Sequence, residues 1–143
     1  MGRKRHLLVD TDGLILKVRV HAANVQDRDG ATLVLDQIDE PLSQLELIWA
    51  DAGYSGPKLQ DWMSTRFGPR PLRLEIVRRS DAQKGFAVLP RRWVVERTFG
   101  WLNRSRRLSK DYERLTQSSE AFIYLSMIFL MSKRAAQFRI RYA

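Results

Sequence analysis

The sequence has no cysteine, which excludes disulfide bonds and thiolate metal sites and is compatible with a reducing cytoplasm. A bound metal would have to use oxygen or histidine ligands. The two histidines, His6 and His21, are not at metal-ligand spacing, and we interpret both as structural or surface residues.

Long apolar runs are also missing. No apolar segment follows the basic N-terminus, so we do not expect a secretory signal. The longest apolar stretch, residues 121–131, is well short of the roughly 20 residues of a membrane span and predicts a buried helix instead. These absences predict a cytoplasmic protein with no membrane partner.

Positive charge is abundant and unevenly placed. The 143 residues include 25 Lys and Arg against 16 Asp and Glu, for a net charge of +9. Residues 66–114 hold 14 of the basic and 5 of the acidic side chains, whereas residues 1–65 hold 7 and 10. This local excess favours a phosphate-binding surface, although a solvated basic surface would have the same composition.

Apolar periodicity and chain breakers predict alternating strands and helices in one domain. Leu14, Leu16, Val18 and Val20 alternate in the second strand of an opening hairpin and are predicted to share one face. The predicted strands are 6–9, 14–20, 46–50 and 72–77, and the predicted helices are 28–38, 57–66, 91–108 and 118–138. This order indicates a mixed α/β sheet flanked by helices.

Asp51 follows the short apolar strand at residues 46–50 and precedes Ala52-Gly53-Tyr54. A carboxylate at a strand end is exposed at the edge of an α/β sheet, where it can bind a metal. An aspartate at this position can also start a turn by bonding its own backbone. The local sequence is compatible with both interpretations.

Glu96 lies on the polar side of the predicted helix at residues 91–108, with Arg92 one turn before it and Gly100 one turn after it. A glycine inside a helix costs roughly 1 kcal/mol relative to alanine, so Gly100 suggests that another group approaches closely beside the acid. The alternative for Glu96 is a surface pair with Arg92.

The end of this helix carries a dense run of positive charge. Four cations fall within seven residues, namely Arg104, Arg106, Arg107 and Lys110. The run predicts a contact with the DNA backbone or, alternatively, a solvated face. Arg107 is predicted to continue the stripe of Glu96.

Together these segments resemble bacterial insertion-sequence transposases of the insertion-sequence-five-like group. The resemblance covers nearly the whole chain and rests on segments that follow one another in order. They are Gly2-Arg3-Lys4-Arg5-His6-Leu7-Leu8-Val9-Asp10-Thr11, residues 21–31, Asp51-Ala52-Gly53-Tyr54, Trp93-Val94-Val95-Glu96-Arg97-Thr98-Phe99-Gly100-Trp101-Leu102, and residues 106–113.

The resemblance implies a DDE-type transposase with an RNase H-like fold, in which two aspartates and one glutamate bind two magnesium ions, manganese being an alternative. Asp51 matches the second aspartate and Glu96 the glutamate, so both are predicted to be catalytic and metal-binding. Arg92 matches the arginine of the family signature. Leu89 stands where a tyrosine is common, and Asn103 occupies the basic position after the glutamate.

The resemblance also makes DNA the expected partner, as inverted-repeat ends and as target, and it is compatible with a homo-oligomer. The predicted DNA-binding cations lie near the N-terminus and around Glu96. They are Arg3, Lys4, Arg5, Arg92, Arg97, Arg104, Arg106, Arg107 and Lys110.

The family carries its first aspartate on the strand before the one that begins near His6, and no such strand precedes His6 here. We therefore expect residues 1–143 to form a single, N-terminally truncated RNase H-like domain without its first strand. Two carboxylates hold magnesium poorly, because this ion demands near-octahedral oxygen ligation. The expected product is a transposase fragment that neither cleaves nor joins DNA by itself.

Two other functions fit the sequence. The first is a non-catalytic DNA-binding remnant that inhibits an intact transposase. The second is a nuclease of another RNase H-like type in which Asp10 serves as the third metal ligand.

Overall fold

The computed structural model describes residues 2–38, 42, 44–68, 72–78 and 90–142, with only the backbone described at residues 90–92 and 138–142. The elements in chain order are β1 (Arg3–Val9), β2 (Ile15–Ala22), α1 (Asp27–Leu35), β3 (Leu47–Ala50), α2 (Pro57–Phe67), β4 (Arg73–Ile76), α3 (Pro90–Asn103) and α4 (Thr116–Tyr142). The predicted α/β class is confirmed, and every predicted helix and strand has a counterpart.

The chain opens with the predicted β-hairpin, in which β1 and β2 pair in antiparallel orientation. Asp10 closes the turn, because its Oδ1 accepts hydrogen bonds from the backbone N–H groups of Asp12 and Leu14. Gly13 has a φ of +80°, and a Cβ there would lie 2.8 Å from Thr98 Oγ1 on α3. The turn therefore needs glycine both for its backbone angle and for close packing under α3.

A β-bulge changes the pattern of faces in β2. The register with β1 shifts after Leu8, which leaves Leu16 as an extra residue. Val18, Val20 and Leu14 contribute to the core toward α4, whereas Leu16 packs on the core toward α1. The prediction that these four residues share one face is therefore wrong for Leu16.

The strands form two small sheets instead of the single mixed sheet that was predicted. β1 pairs with β2, and β3 pairs with β4 in parallel, with no ladder between β1 and β3 in the described part of the chain. The two sheets are joined by side-chain packing, since Leu8 of β1 and Ile48 of β3 share a core. α3 also contacts both β1 and β3.

Two apolar cores lie on opposite sides of the hairpin. The first lies between the strands, α1 and α2, and its buried residues are Leu8, Ala31, Val34, Leu35, Ile38, Ile48, Leu59, Met63 and Phe67. The second lies between β2, α3 and α4, and its buried residues are Ile15, Val18, Val20, Leu102, Leu108, Ile123 and Met127. The hairpin is thus the middle layer of the domain.

α4 is less buried than its apolar sequence predicts. Ile123 and Met127 face the second core, but Leu125, Ile128 and Phe129 are each more than half exposed. The prediction of a buried first half is wrong for this face, because α4 packs on the hairpin from one side. Among the described residues, none of the helices combines the length and apolar character that crossing a membrane requires.

α3 is shorter than predicted and ends at Asn103. Ser105 has extended backbone angles (φ −79°, ψ 114°), which interrupt the helix, and a 3-10 turn at Arg106–Leu108 follows. The last residue of this turn is buried in the second core. Arg107 therefore does not continue the stripe of Glu96 on α3, contrary to the prediction.

Candidate metal and nucleic-acid site

A groove of about 500 Å³ lies where β1, the turn after β3 and the end of α3 meet. We call it the Asp51 groove. Its lining residues are Arg3, Lys4, Arg5, His6, Asp27, Asp51, Tyr54, Phe99, Asn103, Leu108, Ser109, Lys110 and Asp111. Acidic and basic side chains therefore share one concave surface.

Asp51 follows the last residue of β3 and is exposed in this groove. Its Oδ1 accepts a hydrogen bond of 2.9 Å from the backbone N–H of Gly53, which begins a 3-10 turn at Ala52–Tyr54. We call residues 51–54 the Asp51 turn. The turn-forming interpretation of the sequence is thus confirmed, and it leaves this carboxylate exposed at a strand end, where a metal ligand was predicted.

Glu96 is exposed on α3 and is not part of the groove lining. Phe99 and Asn103, about one and two turns after it, do line the groove, and α3 contacts β3. The helix that carries Glu96 and the strand that ends at Asp51 are therefore neighbours. The described ranges contain no group of three acidic or histidine side chains that could hold a metal, and the convergence of Asp51 and Glu96 stays a prediction.

Asp27 lies beside Asp51, a proximity that sequence reasoning missed. A Cβ at Gly53 would lie 3.1 Å from Asp51 Oδ1 and 3.2 Å from Asp27 Oδ2, so the two carboxylates flank this glycine. The other oxygen of Asp27 pairs with Lys4 Nζ at 3.0 Å. One sequence signal could have drawn attention to Asp27. It is the first residue of a helix that soon follows a strand, and a helix N-terminus favours a negative charge.

Tyr54 and His6 form a buried contact behind the Asp51 turn, which was also not predicted. Tyr54 Oη and His6 Nδ1 are hydrogen-bonded at 2.8 Å. Burial, with the charges of Asp27 and Asp51, raises the pKa of Tyr54 to about 12, so its hydroxyl stays protonated. Burial, with the neighbouring His21, lowers the pKa of His6 and favours its neutral form. His6 is thus a buried structural residue.

Comparison with known sequences decides the family. The sequence model of the transposase DDE domain matches residues 1–131. The chain belongs to this family. It is also 30% identical over 131 residues to a Burkholderia cepacia protein named "Putative transposase for insertion sequence element IS402", and this similarity covers 87% of the chain. The chain spans 60% of the length of that relative. No solved structure matches.

The cations of β1 in this DDE domain are engaged within the protein. Arg3 pairs with Asp111 Oδ2 at 3.1 Å and donates to two backbone carbonyls at 2.7 and 2.8 Å. Arg5 donates to the carbonyl of Leu108 at 2.9 Å, and Lys4 pairs with Asp27. All three predicted DNA-binding residues therefore also hold the domain together.

Two other predicted DNA-binding cations, Arg97 and Arg107, stack on aromatic rings of the DDE domain. The guanidinium of Arg97 lies 5.0 Å from the ring centre of Trp101, and that of Arg107 lies 4.3 Å from Phe122. Arg107 also pairs with Glu113 at 2.8 Å. These contacts give both arginines a packing role.

Three predicted DNA-binding residues, Arg104, Arg106 and Lys110, are exposed in the segment that follows α3. Lys110 lines the Asp51 groove, which places positive charge beside the carboxylates. The side chain of Arg92 and all of Leu89 lie outside the described residues. We refer to Arg104, Arg106 and Lys110 as the exposed cation set.

Asp10 lies at the other end of β1 from the Arg3–His6 part of the groove lining. Its Oδ1 is bound to two backbone N–H groups in the hairpin turn, and the residue is not part of the lining. The contacts of Asp10 are thus those of a residue that stabilises the hairpin turn.

Proposed function

We propose that the chain is part of a DDE-type transposase that acts on the inverted-repeat ends of an insertion sequence, with Asp51 and Glu96 as two of its metal ligands. Membership of the transposase DDE domain family supports the reaction class. The observation that carries the residue assignment is the position of Asp51 in a groove lined also by residues of α3, the helix of Glu96.

The donor chemistry of these two residues suits magnesium, which prefers carboxylate oxygen and retains much of its water. Asp51 is exposed and held in one orientation by Gly53 N–H, and Glu96 is exposed on the neighbouring helix. When bound, divalent ions in such sites activate the attacking oxygen and stabilise the leaving oxygen of a phosphodiester. The part proposed for the protein is to present the Asp51 carboxylate in the groove, which Lys110 also lines, and to carry Glu96 on the adjoining helix.

The chain by itself is proposed to lack cleavage and strand-transfer activity. Two carboxylates leave most of the coordination shell of magnesium to water, which makes binding weak. The described part of the chain offers no set of three ligands that would strengthen it. Magnesium-dependent nicking of inverted-repeat DNA by the purified chain would contradict this proposal.

Metal binding tests the residue assignment directly. Titration of the purified chain with Mn²⁺, followed by the electron paramagnetic resonance signal of the free ion, should show weak binding that Asp51→Asn and Glu96→Gln each reduce. Asp61→Asn is the matched control, because Asp61 is an exposed carboxylate on α2, away from the groove lining. Equal Mn²⁺ binding by all four proteins would refute the assignment.

The exposed cation set supports a second candidate, a DNA-binding remnant without chemistry. Arg104, Arg106 and Lys110 can contact phosphates without any metal. The two functions differ in the double variant Asp51→Ala with Glu96→Ala. Salt-dependent DNA binding by this variant, together with a parent chain that shows no Mn²⁺ binding, would favour the remnant.

A further inference from the structure

A buried polar contact connects the Asp51 turn to the hairpin. Tyr54, the last residue of the turn, has its hydroxyl 2.8 Å from His6 Nδ1 on β1. The two rings meet edge to face, with centroids 5.8 Å apart and planes at 86°. His6 is only 6% exposed, so water does not compete strongly for this hydrogen bond.

This contact is important because the Asp51 turn has no backbone ladder to β1. The turn follows β3, and no ladder joins β3 to β1 in the described residues. Nearby ion pairs, such as Lys58 with Asp29 and Arg66 with Asp36, join α2 to the region of α1 and lie at the surface, where ion pairs are weak. The Tyr54 to His6 hydrogen bond lies inside the domain and can set the distance between the turn and the hairpin.

His6 is itself held in place from the other side. Its ring stacks on His21 of β2, with centroids 4.7 Å apart and planes at 20°. Both imidazoles stand over Gly30 of α1, where a Cβ would collide with His6 Nε2 and lie 2.8 Å from His21 Nε2. His21 Nδ1 is bonded to the carbonyl of Ala22 at 2.9 Å. The partner of Tyr54 is therefore one of two stacked rings that pack against a helix backbone.

At the other end, Tyr54 restrains Asp51 through the turn. The backbone N–H of Tyr54 donates to the carbonyl of Asp51 at 3.2 Å, and that of Gly53 donates to the Asp51 carboxylate at 2.9 Å. A shift of the Tyr54 ring would move both donors. The orientation of the carboxylate thus depends on where the tyrosine ring is anchored.

We propose that Tyr54 is a positioning residue, which acts through His6 to hold the Asp51 carboxylate in its orientation within the groove. The restraint on Asp51 is argued from the contacts alone. Only its purpose, metal binding by Asp51, rests on the function proposed above. Tyr54 itself does not need to touch the metal or the DNA.

Tyr54→Phe tests the proposal, because it removes the hydroxyl and keeps the ring. Tyr112→Phe is the matched control, since Tyr112 is 62% exposed and outside the groove lining. Hydrogen exchange of the Gly53 amide, measured by nuclear magnetic resonance, should be about three- to tenfold faster in Tyr54→Phe, as for the loss of one hydrogen bond. Mn²⁺ affinity should fall by a similar factor, and the control should match the parent in both.

A second variant removes the same hydrogen bond from its other partner. His6→Phe keeps an aromatic ring and leaves Tyr54 intact, so it should accelerate Gly53 exchange by a comparable factor. The temperature of thermal unfolding, measured for every variant, identifies any protein that has lost its fold. Agreement between the two folded variants supports the proposal.

Two outcomes would overturn it. One is Gly53 exchange in Tyr54→Phe equal to that of the parent, a result that does not depend on metal. The other is unchanged Mn²⁺ affinity in Tyr54→Phe when Asp51→Asn does weaken it. If Asp51→Asn does not change Mn²⁺ affinity, the proposed function is refuted. The rate of Gly53 amide exchange in Tyr54→Phe still tests whether Tyr54 restrains the Asp51 turn.

Discussion

The positive charges of β1 and those that follow α3 look alike in the sequence but differ in the structure. Arg3, Lys4 and Arg5 of β1 each bind an acid or a backbone carbonyl of the domain. In contrast, Arg104, Arg106 and Lys110 are exposed to solvent. A cation that is bound to internal acceptors must give up those bonds, or share its remaining donors, before it can contact a phosphate.

The difference shows that cations with a similar setting in the sequence can bind acceptors within the domain or face the solvent. On β1, guanidinium groups satisfy carbonyls of the loop after α3, which fastens that loop to the hairpin. After α3, the backbone turns away from the helix at Ser105 and directs short runs of cations to the surface. Under the proposed function, DNA binding should therefore depend more on the cations after α3, and stability should depend more on those of β1.

The largest expected effect is the loss of stability caused by Arg3→Ala. Burial acts to raise the pKa of Asp111, but hydrogen bonds from Ser119 and Glu113 and the charge of Arg3 lower it overall, so its carboxylate is ionised in the fold. Removing Arg3 takes away this ion pair, which is weakened by solvent, together with the donors to the carbonyls of Glu113 and Arg114, and should lower the free energy of unfolding by about 2 kcal/mol.

Urea unfolding monitored by circular dichroism measures this change. Arg106→Ala is the control, since Arg106 is exposed and surface substitutions usually change stability by less than about 0.5 kcal/mol. If both variants unfold at the same urea concentration, the cations of β1 do not contribute more to stability than the exposed cations.

A smaller effect is expected for DNA binding when the exposed cation set is removed. Replacing Arg104, Arg106 and Lys110 together with alanine should weaken DNA binding on the order of tenfold at low salt. The slope of log affinity against log salt should fall by about 0.9 for each phosphate that the variant no longer neutralises. Fluorescence anisotropy at several salt concentrations measures both, and an unchanged slope would show that these cations do not bind phosphate.

The smallest effect is expected at Gly100, which lies on α3 one turn before Arg104. A Cβ at Gly100 would meet no described atom within 4 Å, so internal packing does not require this glycine. Gly100→Ala should raise the free energy of unfolding by about 0.5 to 1 kcal/mol. If Gly100→Ala also weakens DNA binding, DNA approaches closely at this face of α3. If DNA affinity is unchanged, a close approach of DNA does not explain the glycine.

Local patterns predicted the elements of this fold well. Alternating apolar residues and the Gly13 turn predicted the hairpin, and the short strand before Asp51 was predicted together with the turn that follows it. Two of the errors occurred where a single local feature changes the geometry. Leu16 is displaced by a β-bulge, and the interruption at Ser105 separates Arg107 from α3.

The candidate site was predicted only in part. Asp51 could be selected because a carboxylate at a strand end has a recognisable setting, and Glu96 because its family motif is specific. Tyr54 is close to Asp51 in the sequence, but Asp27 and His6 reach the Asp51 turn only after the hairpin, α1 and the turn have packed together. These contacts join residues that are more than 20 positions apart, and local patterns do not predict which of them will meet.

The sequence by itself determined the transposase family, the order of helices and strands, and the excess of positive charge, because motifs, apolar periodicity and composition are properties of neighbouring residues. Only the tertiary structure decided which cations are available to a partner, how the strands divide into two sheets, and what surrounds Asp51. These features depend on which donors and acceptors meet after folding. A hydrogen bond such as that between Tyr54 and His6 exists only when distant segments have been brought within about 3 Å of each other.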